Sequence, residues 1–131
     1  MGKPKVITMC GSSRFCDKMA VIAWLLERDE GAITLSLHLL PSWYTTVESH
    51  LAEEEGVAGA MDVLHLCKID MSDEIYVVDW EGYVGDSTRN EIEYAKSWGK
   101  RIRYFSSEGE MQLKLLQAAR DQEARCQRKE T

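Results

Sequence analysis

The chain of 131 residues lacks several features that would each point to a particular class of protein. No apolar run approaches the roughly 18 residues of a membrane-spanning helix. No signal-peptide pattern is present, so a cytoplasmic location is the default expectation. Basic residues are also in deficit, with 16 Lys and Arg against 22 Asp and Glu and a net charge of −6. Because tracking a phosphate backbone needs clustered basic residues, this balance argues against a nucleic-acid partner.

Paired metal-ligand motifs and the common nucleotide motifs are missing as well. The four cysteines do not have the spacing of a zinc site or a disulfide framework. Cys10, Cys16 and Cys67 fall in strand or helix patterns, where a free thiol behaves as a small buried hydrophobe. Neither the Walker pattern nor GxGxxG occurs. The sequence therefore predicts no metal ion, no disulfide and no bound cofactor.

Apolar patterns of strand and helix type alternate along the chain, without internal repeats or a linker. Strands are predicted at residues 5–10, 33–37, 74–79 and 101–105, and helices at 15–28, 47–70, 87–98 and 108–126. We expect one α/β domain over residues 1–131, with residues 125–131 as a frayed tail. Its fold should be a Rossmann-like or flavodoxin-like three-layer sandwich. A mostly parallel sheet of four to five strands would carry helices on both faces.

Residues 85–95 follow the third predicted strand and open a helix. A polar turn between strand and helix is where an open α/β sheet places its ligand, so Gly85, Ser87 and Thr88 are candidate binding residues. Glu91 lies three positions after Thr88, which is the spacing of a capping box. A carboxylate in the first turn would also be kept ionised by the helix dipole and be available as a nucleophile. The residues alone leave both interpretations open.

A second turn of this kind follows the first predicted strand, at Gly11, Ser12, Ser13 and Arg14. A short Gly/Ser turn at a helix N-terminus exposes backbone N–H groups and hydroxyls, which together can hold an oxyanion. Arg14 adds a planar, permanently charged group suited to phosphate. A tight turn capped by a serine explains the same residues without a ligand. If the first and third strands are neighbours, the two turns lie side by side.

Together these residues resemble the nucleoside 2-deoxyribosyltransferase superfamily, and within it most closely the N-glycosidases that hydrolyse nucleoside 5′-monophosphates. The resemblance covers about residues 5–105. It is carried by the Gly-Ser-Ser-Arg turn, by residues 68–78, by Ser-Thr-x-x-Glu-Ile-x-Tyr-Ala at 87–95, and by Gly-Lys-Arg-Ile at 99–102.

The resemblance implies hydrolysis of the N-glycosidic bond of a (deoxy)nucleoside 5′-monophosphate through a covalent intermediate on Glu91. Free base and (deoxy)ribose 5-phosphate would be the products. Ser87 would contact phosphate or sugar, and the 5′-phosphate would be held by Gly11, Ser12, Ser13 and Arg14. Two alternatives remain. One is base exchange by a deoxyribosyltransferase, and the other is a nucleotide-binding module without catalysis.

The group that protonates the leaving base is less clearly marked. Family members often carry an aspartate on the helix before the third strand, and the corresponding position here is His65. Asp62 lies one helical turn before it on roughly the same flank, so both are candidates for the proton donor. Tyr83 would either stack on the base or close its turn. Trp43, Tyr44 and Trp80 are loop aromatics that could sandwich the base.

The resemblance also implies a homodimer whose neighbouring subunit helps to close each active site. The predicted helix at 47–70 carries the apolar residues Val57, Met61 and Leu64 on one side, with Met71 just beyond it. This surface exceeds what one sheet face needs for cover, and two-fold pairing is the commonest closed arrangement.

Overall fold

The structure, a computed structural model, describes residues 2–37, 40, 44 and 55–130. Four parallel strands form one sheet in the order β2-β1-β3-β4. The strands are β1 (Val6–Cys10), β2 (Ile33–Leu35), β3 (Glu74–Val77) and β4 (Arg101–Tyr104), and the helices are α1 (Cys16–Glu30), α2 (Ala58–Asp70), α3 (Asp86–Ser97) and α4 (Gly109–Glu130). The predicted α/β fold with a parallel sheet is confirmed.

The helices cover both faces of the sheet, because side chains alternate between the faces along each strand. On one face, Ile7, Met9 and Tyr76 pack with apolar residues of α1 and α4. On the other face, Cys10 and Val77 pack with apolar residues of α2 and α3. Strand β3 is buried along its whole length, as expected of a parallel strand covered on both sides.

The boundaries of α1 follow ordinary helix chemistry. A single turn of 3-10 helix (Ser13–Phe15) leads into it, and the buried face carries Met19, Ile22, Leu25 and Leu26. Gly31 ends the helix with φ 65°, and its N–H donates to the carbonyls of Glu27 and Leu26. Glycine is suited to this cap because it adopts the left-handed conformation without steric strain.

The prediction of one long helix over residues 47–70 is wrong. Helix α2 begins only at Ala58, and Glu55 and Gly56 form a turn before it, with Gly56 at φ 73°. This left-handed conformation interrupts a right-handed helix. Residues 45–54 lie outside the described residues, and so do Trp43 and the histidines at positions 38 and 50.

The last helix is longer than predicted and covers less of the core. Helix α4 runs to Glu130, through the segment expected to fray. The helical period predicts that Met111, Leu115, Leu116 and Ala119 face the core. Met111 is buried and Leu115 packs against the core, but Leu116 and Ala119 are exposed. The helical period correctly indicates an apolar face at the start of α4. The rest of the helix extends beyond the core that this face covers. Among the described residues, no helix is both long enough and apolar enough to cross a membrane.

An ion-pair network joins the sheet to the layer of helices α1 and α4 that covers one of its faces. Arg103 of β4 pairs with Glu30 at the end of α1, with Glu74 of β3 and with Glu108 just before α4. These carboxylates raise the pKa of Arg103. Glu74 is 2% exposed and also contacts Lys5 and Arg101, so its buried charge is well compensated.

The turn between β1 and α1, where the sequence predicts a phosphate site, depends on a glycine. A Cβ built at Gly11 would lie 3.2 Å from Met19 Sδ and 3.2 Å from the carbonyl oxygen of Val78, and its φ is 156°. We expect Gly11→Ala to lower the free energy of unfolding by roughly 1–3 kcal/mol, because the residue must either strain or push β3 away. Denaturant unfolding measures this change.

Gly59→Ala is the matched control for this substitution. Gly59 lies in α2 with no atom near its added Cβ, so alanine should be neutral there or stabilise by up to about 1 kcal/mol. Equal shifts for the two variants would show that crowding at Gly11 is not the cause.

Candidate active site

The sheet order creates a crevice at the carboxyl ends of β1 and β3. The chain moves outward from β1 to β2 on one side and from β3 to β4 on the other. The direction of winding therefore switches between β1 and β3, which is where open α/β sheets bind ligands. The N–H of Val78 donates to the carbonyl of Cys10 at 2.8 Å, so the two strands remain side by side to their ends. The turns that follow them meet at this point.

In the turn after β1, one serine caps the backbone and the next two residues expose polar side chains. Ser12 caps the short 3-10 turn, with its hydroxyl accepting from the N–H of Arg14 at 3.3 Å. The capping interpretation therefore holds for Ser12. Ser13 and Arg14 are exposed, and Gly11 is half-buried. Two side chains of the predicted phosphate site thus face solvent and are accessible to a ligand.

Tyr83 connects this turn to the loop that precedes α3. The Arg14 guanidinium lies over the Tyr83 ring, 4.2 Å from its centroid, and donates to the Tyr83 hydroxyl at 3.4 Å. Phe15 packs edge-on against the same ring. Tyr83 therefore packs on the turn after β1 and orients Arg14. The residue is 41% exposed, and stacking on a base stays a prediction. Gly85 lies beside the ring, since a Cβ there would be in ordinary van der Waals contact with the Tyr83 hydroxyl at 3.5 Å.

The start of α3 overturns the sequence argument about Glu91. The helix begins at Asp86 with Gly85 as its N-cap and no side-chain cap. Glu91 is then the sixth residue of the helix, in the second turn, so neither the capping box nor the first-turn dipole argument applies. Ser87 is exposed in the first turn and Thr88 is buried. The backbone N–H groups of this first turn have no carbonyl partners inside the helix and remain able to bind an anion.

Glu91 is buried, and its surroundings favour the protonated form. The sequence argument expected an ionised carboxylate. Its Oε2 lies 3.6 Å from His65 Nε2 and makes no hydrogen bond to any residue that the structure describes. Burial raises the pKa of Glu91 to about 7, a hydrogen bond from the Cys10 thiol opposes this rise, and the charge of Asp62 adds to it. Such near-neutral carboxyl groups are typical of catalytic sites.

Three residues from three elements meet at this carboxyl group. Cys10 ends β1, His65 lies in the middle of α2, and Glu91 lies in α3. Cys10 Sγ is 3.5 Å from His65 Nε2, and the ligand-type atoms of all three residues lie within 4.8 Å of one another. All three residues are buried, and burial together with the nearby Glu91 raises the pKa of Cys10. We call these three residues the buried triad.

Both predicted proton donors interact with Glu91, one by direct contact and the other only through its charge. His65 touches its carboxylate directly, whereas Asp62 is exposed and acts on Glu91 through its charge. Sequence reasoning missed Cys10 as part of the site. Its only signal was that Cys10 is the last residue of β1, at the edge where ligands bind.

Trp80 stacks on Phe105 at 5.6 Å between ring centroids and packs against the core. The base sandwich stays a prediction, because Trp43 lies outside the described residues. One expectation about the cysteines is wrong. Cys67 is exposed rather than buried, and Cys16 is half-buried. Tyr44 is exposed.

The arrangement combines a buried carboxyl group, an imidazole in contact with it and an arginine on a strand-to-helix turn. A carboxyl group of this kind can act as a nucleophile or in proton transfer. A scan of protein-family models finds no match to the chain, and a search of curated proteins finds none either.

Proposed function

We propose that the protein hydrolyses the N-glycosidic bond of a (deoxy)nucleoside 5′-monophosphate. The observation that carries the proposal is the buried Glu91 carboxyl group at the switch point of the sheet, with one oxygen that makes no hydrogen bond to any described residue. The turn bearing Ser13 and Arg14 follows the neighbouring strand and offers the charge and donors that phosphate requires. The resemblance of the sequence to nucleotide N-glycosidases agrees with both features.

In the first step, a Glu91 oxygen bonds to the anomeric carbon while the bond from that carbon to the base nitrogen breaks. The electron pair of the broken bond leaves with the base, which takes a proton from His65 or Asp62. The sugar becomes esterified to Glu91. Because the transition state resembles an oxocarbenium ion, the carboxylate also stabilises the positive charge that develops on the sugar.

In the second step, water attacks the anomeric carbon and the ester bond to Glu91 breaks, while the water gives a proton to the group, His65 or Asp62, that protonated the base. The products are (deoxy)ribose 5-phosphate and the regenerated carboxylate. Arg14 contributes to binding, because its guanidinium carries a permanent positive charge for the 5′-phosphate. A second base in place of water would give the transferase reaction from the same intermediate.

The first test compares Glu91→Gln with Glu93→Gln. Glu93 is an exposed residue two positions further along α3 that pairs with Lys96. We expect Glu91→Gln to lower turnover on the order of 10³-fold or more, because an amide cannot form the ester intermediate. Glu93→Gln should keep wild-type rates. Release of free base from a panel of nucleoside 5′-monophosphates, followed by chromatography, measures both variants.

The thermal unfolding of the same variants shows whether Glu91 is a structural residue instead. Removing a buried carboxyl group relieves a desolvation penalty, so Glu91→Gln should unfold at the same temperature as wild type or higher. A wild-type rate in Glu91→Gln would contradict the proposed nucleophile. Intact ligand binding with no free base from any substrate would favour the non-catalytic alternative, and base exchange without hydrolysis would favour the transferase.

The second test concerns Arg14. Replacing it with Ala should raise KM for the 5′-monophosphate about ten- to a hundredfold and leave KM for the matching nucleoside nearly unchanged, because one charge-assisted contact is lost. Arg28→Ala is the control, since Arg28 pairs with Asp29 at the far end of α1. Equal effects of Arg14→Ala on both substrates would show that Arg14 does not recognise phosphate.

The third test concerns the proposed homodimer. Val63, Leu64 and Met71 are exposed on or just after α2, and this apolar surface supports pairing of two copies near the active site. Light scattering should give a mass near twice the 15.0 kDa of one chain, and Leu64→Asp should reduce it to one chain. Leu113→Asp, at a more exposed leucine of α4, should leave the dimer intact. A single-chain mass for the wild type would rule out the dimer.

A cytoplasmic location is part of the same proposal. It is supported by four cysteines that are all free thiols, the state that a reducing compartment maintains.

A further inference from the structure

We propose that the buried triad of Cys10, His65 and Glu91 binds a divalent transition-metal ion, with Zn²⁺ as the best match. The sequence predicted no metal site because the cysteines lack paired spacing. Spacing along one element cannot show this site, since each residue comes from a different element. The three donor types are those that protein zinc sites use.

The distances support coordination without a large rearrangement. Zinc bonds to sulfur at about 2.3 Å and to imidazole nitrogen or carboxylate oxygen at about 2.0–2.2 Å, so tetrahedral ligand atoms lie about 3.3–3.6 Å apart. In the structure, Sγ of Cys10 is 3.5 Å from Nε2 of His65, and that nitrogen is 3.6 Å from Oε2 of Glu91. The same imidazole nitrogen therefore stands at a ligand-like separation from both other donors.

The charge of the triad also suits a metal ion. A thiolate and a carboxylate would together balance a 2+ charge, with the thiol proton released to solvent on binding. Asp62 adds negative potential near Glu91. No Lys or Arg among the described residues forms an ion pair with Glu91 to compete with a cation.

Three protein ligands leave a fourth tetrahedral position open, as in sites where zinc also binds a water or a small molecule. Thiolate and imidazole favour Zn²⁺ over Mg²⁺ or Ca²⁺, which prefer oxygen donors.

One consequence rests on the proposed function. If Glu91 is the nucleophile, a carboxylate oxygen bonded to the ion cannot attack the sugar, so metal binding and hydrolysis exclude each other. Zn²⁺ should then inhibit the reaction, and a chelator should restore it.

The binding itself is tested without any substrate. Purified protein, first stripped with a chelator, competes with a chromophoric chelator for Zn²⁺. Cys10→Ser should weaken Zn²⁺ binding more than about tenfold, because a thiolate ligand is lost. Cys126→Ser is the matched control, since it removes an exposed thiol on α4, and its affinity should equal that of the wild type. Equal affinities for Cys10→Ser and Cys126→Ser would overturn the proposal.

A second measurement uses the unaltered site, in case Cys10→Ser does not fold. Co²⁺ added to Cys126→Ser protein should produce a thiolate-to-cobalt charge-transfer band and the visible bands of a tetrahedral ion, at one ion per chain. Octahedral Co²⁺ spectra without thiolate ligation would contradict the proposed ligand set.

The two proposals fail in different ways. Zinc binding that depends on Cys10, in a protein that releases no base from any nucleotide, would leave the metal site standing and remove the glycosidase. Hydrolysis with no Zn²⁺ binding would support the glycosidase and rule out the metal site.

Discussion

Strand β1 pairs in parallel with β2 on one side and with β3 on the other, and the rest of the molecule depends on this central position. Pairing with β3 brings together two strand ends that are about 65 residues apart along the chain, and it sets the switch point where the crossovers diverge. The close approach at Gly11 and the bond from Val78 to Cys10 follow from it. Without this pairing, the Arg14 turn and the Glu91 helix would not share an edge.

Two buried glutamates, Glu74 and Glu91, differ in the charged groups that surround them. Glu74 contacts Lys5, Arg101 and Arg103, so its buried carboxylate is stabilised by surrounding cations. Glu91 has comparable burial but contacts an imidazole and a thiol, with no Lys or Arg pairing to it among the described residues. A buried carboxyl group without such compensation opposes folding. Such groups are more frequent at functional sites, which is why the proposed function is based on Glu91.

The sequence was sufficient for the fold because β and α periods alternate clearly, and short-range chemistry such as the Gly31 cap sets the boundaries. It also singled out Glu91, but by an argument that the structure contradicts. The predicted capping role assumed a helix beginning near Thr88, whereas the N-cap at Gly85 moves Glu91 into the second turn. The contact of Cys10 with His65 joins residues 55 positions apart, and no local pattern encodes it. The prediction that Leu116 faces the core is wrong for a related reason. The helical period shows which side of α4 is apolar but not how far along the helix the core extends.

The two proposals for the buried triad share one physical cause. Glu91 and Cys10 can each carry negative charge, Asp62 adds more, and the described residues place no Lys or Arg in an ion pair with Glu91. Burial and the charge of Asp62 raise the pKa of Glu91 to about 7, so a proton is readily held on this group. Under the proposed function, an oxocarbenium-like sugar would supply positive charge near Oε2 of Glu91 in the transition state. Under the proposed metal site, a divalent ion would supply it by coordination, so both proposals assign the same electrostatic role to this carboxyl group.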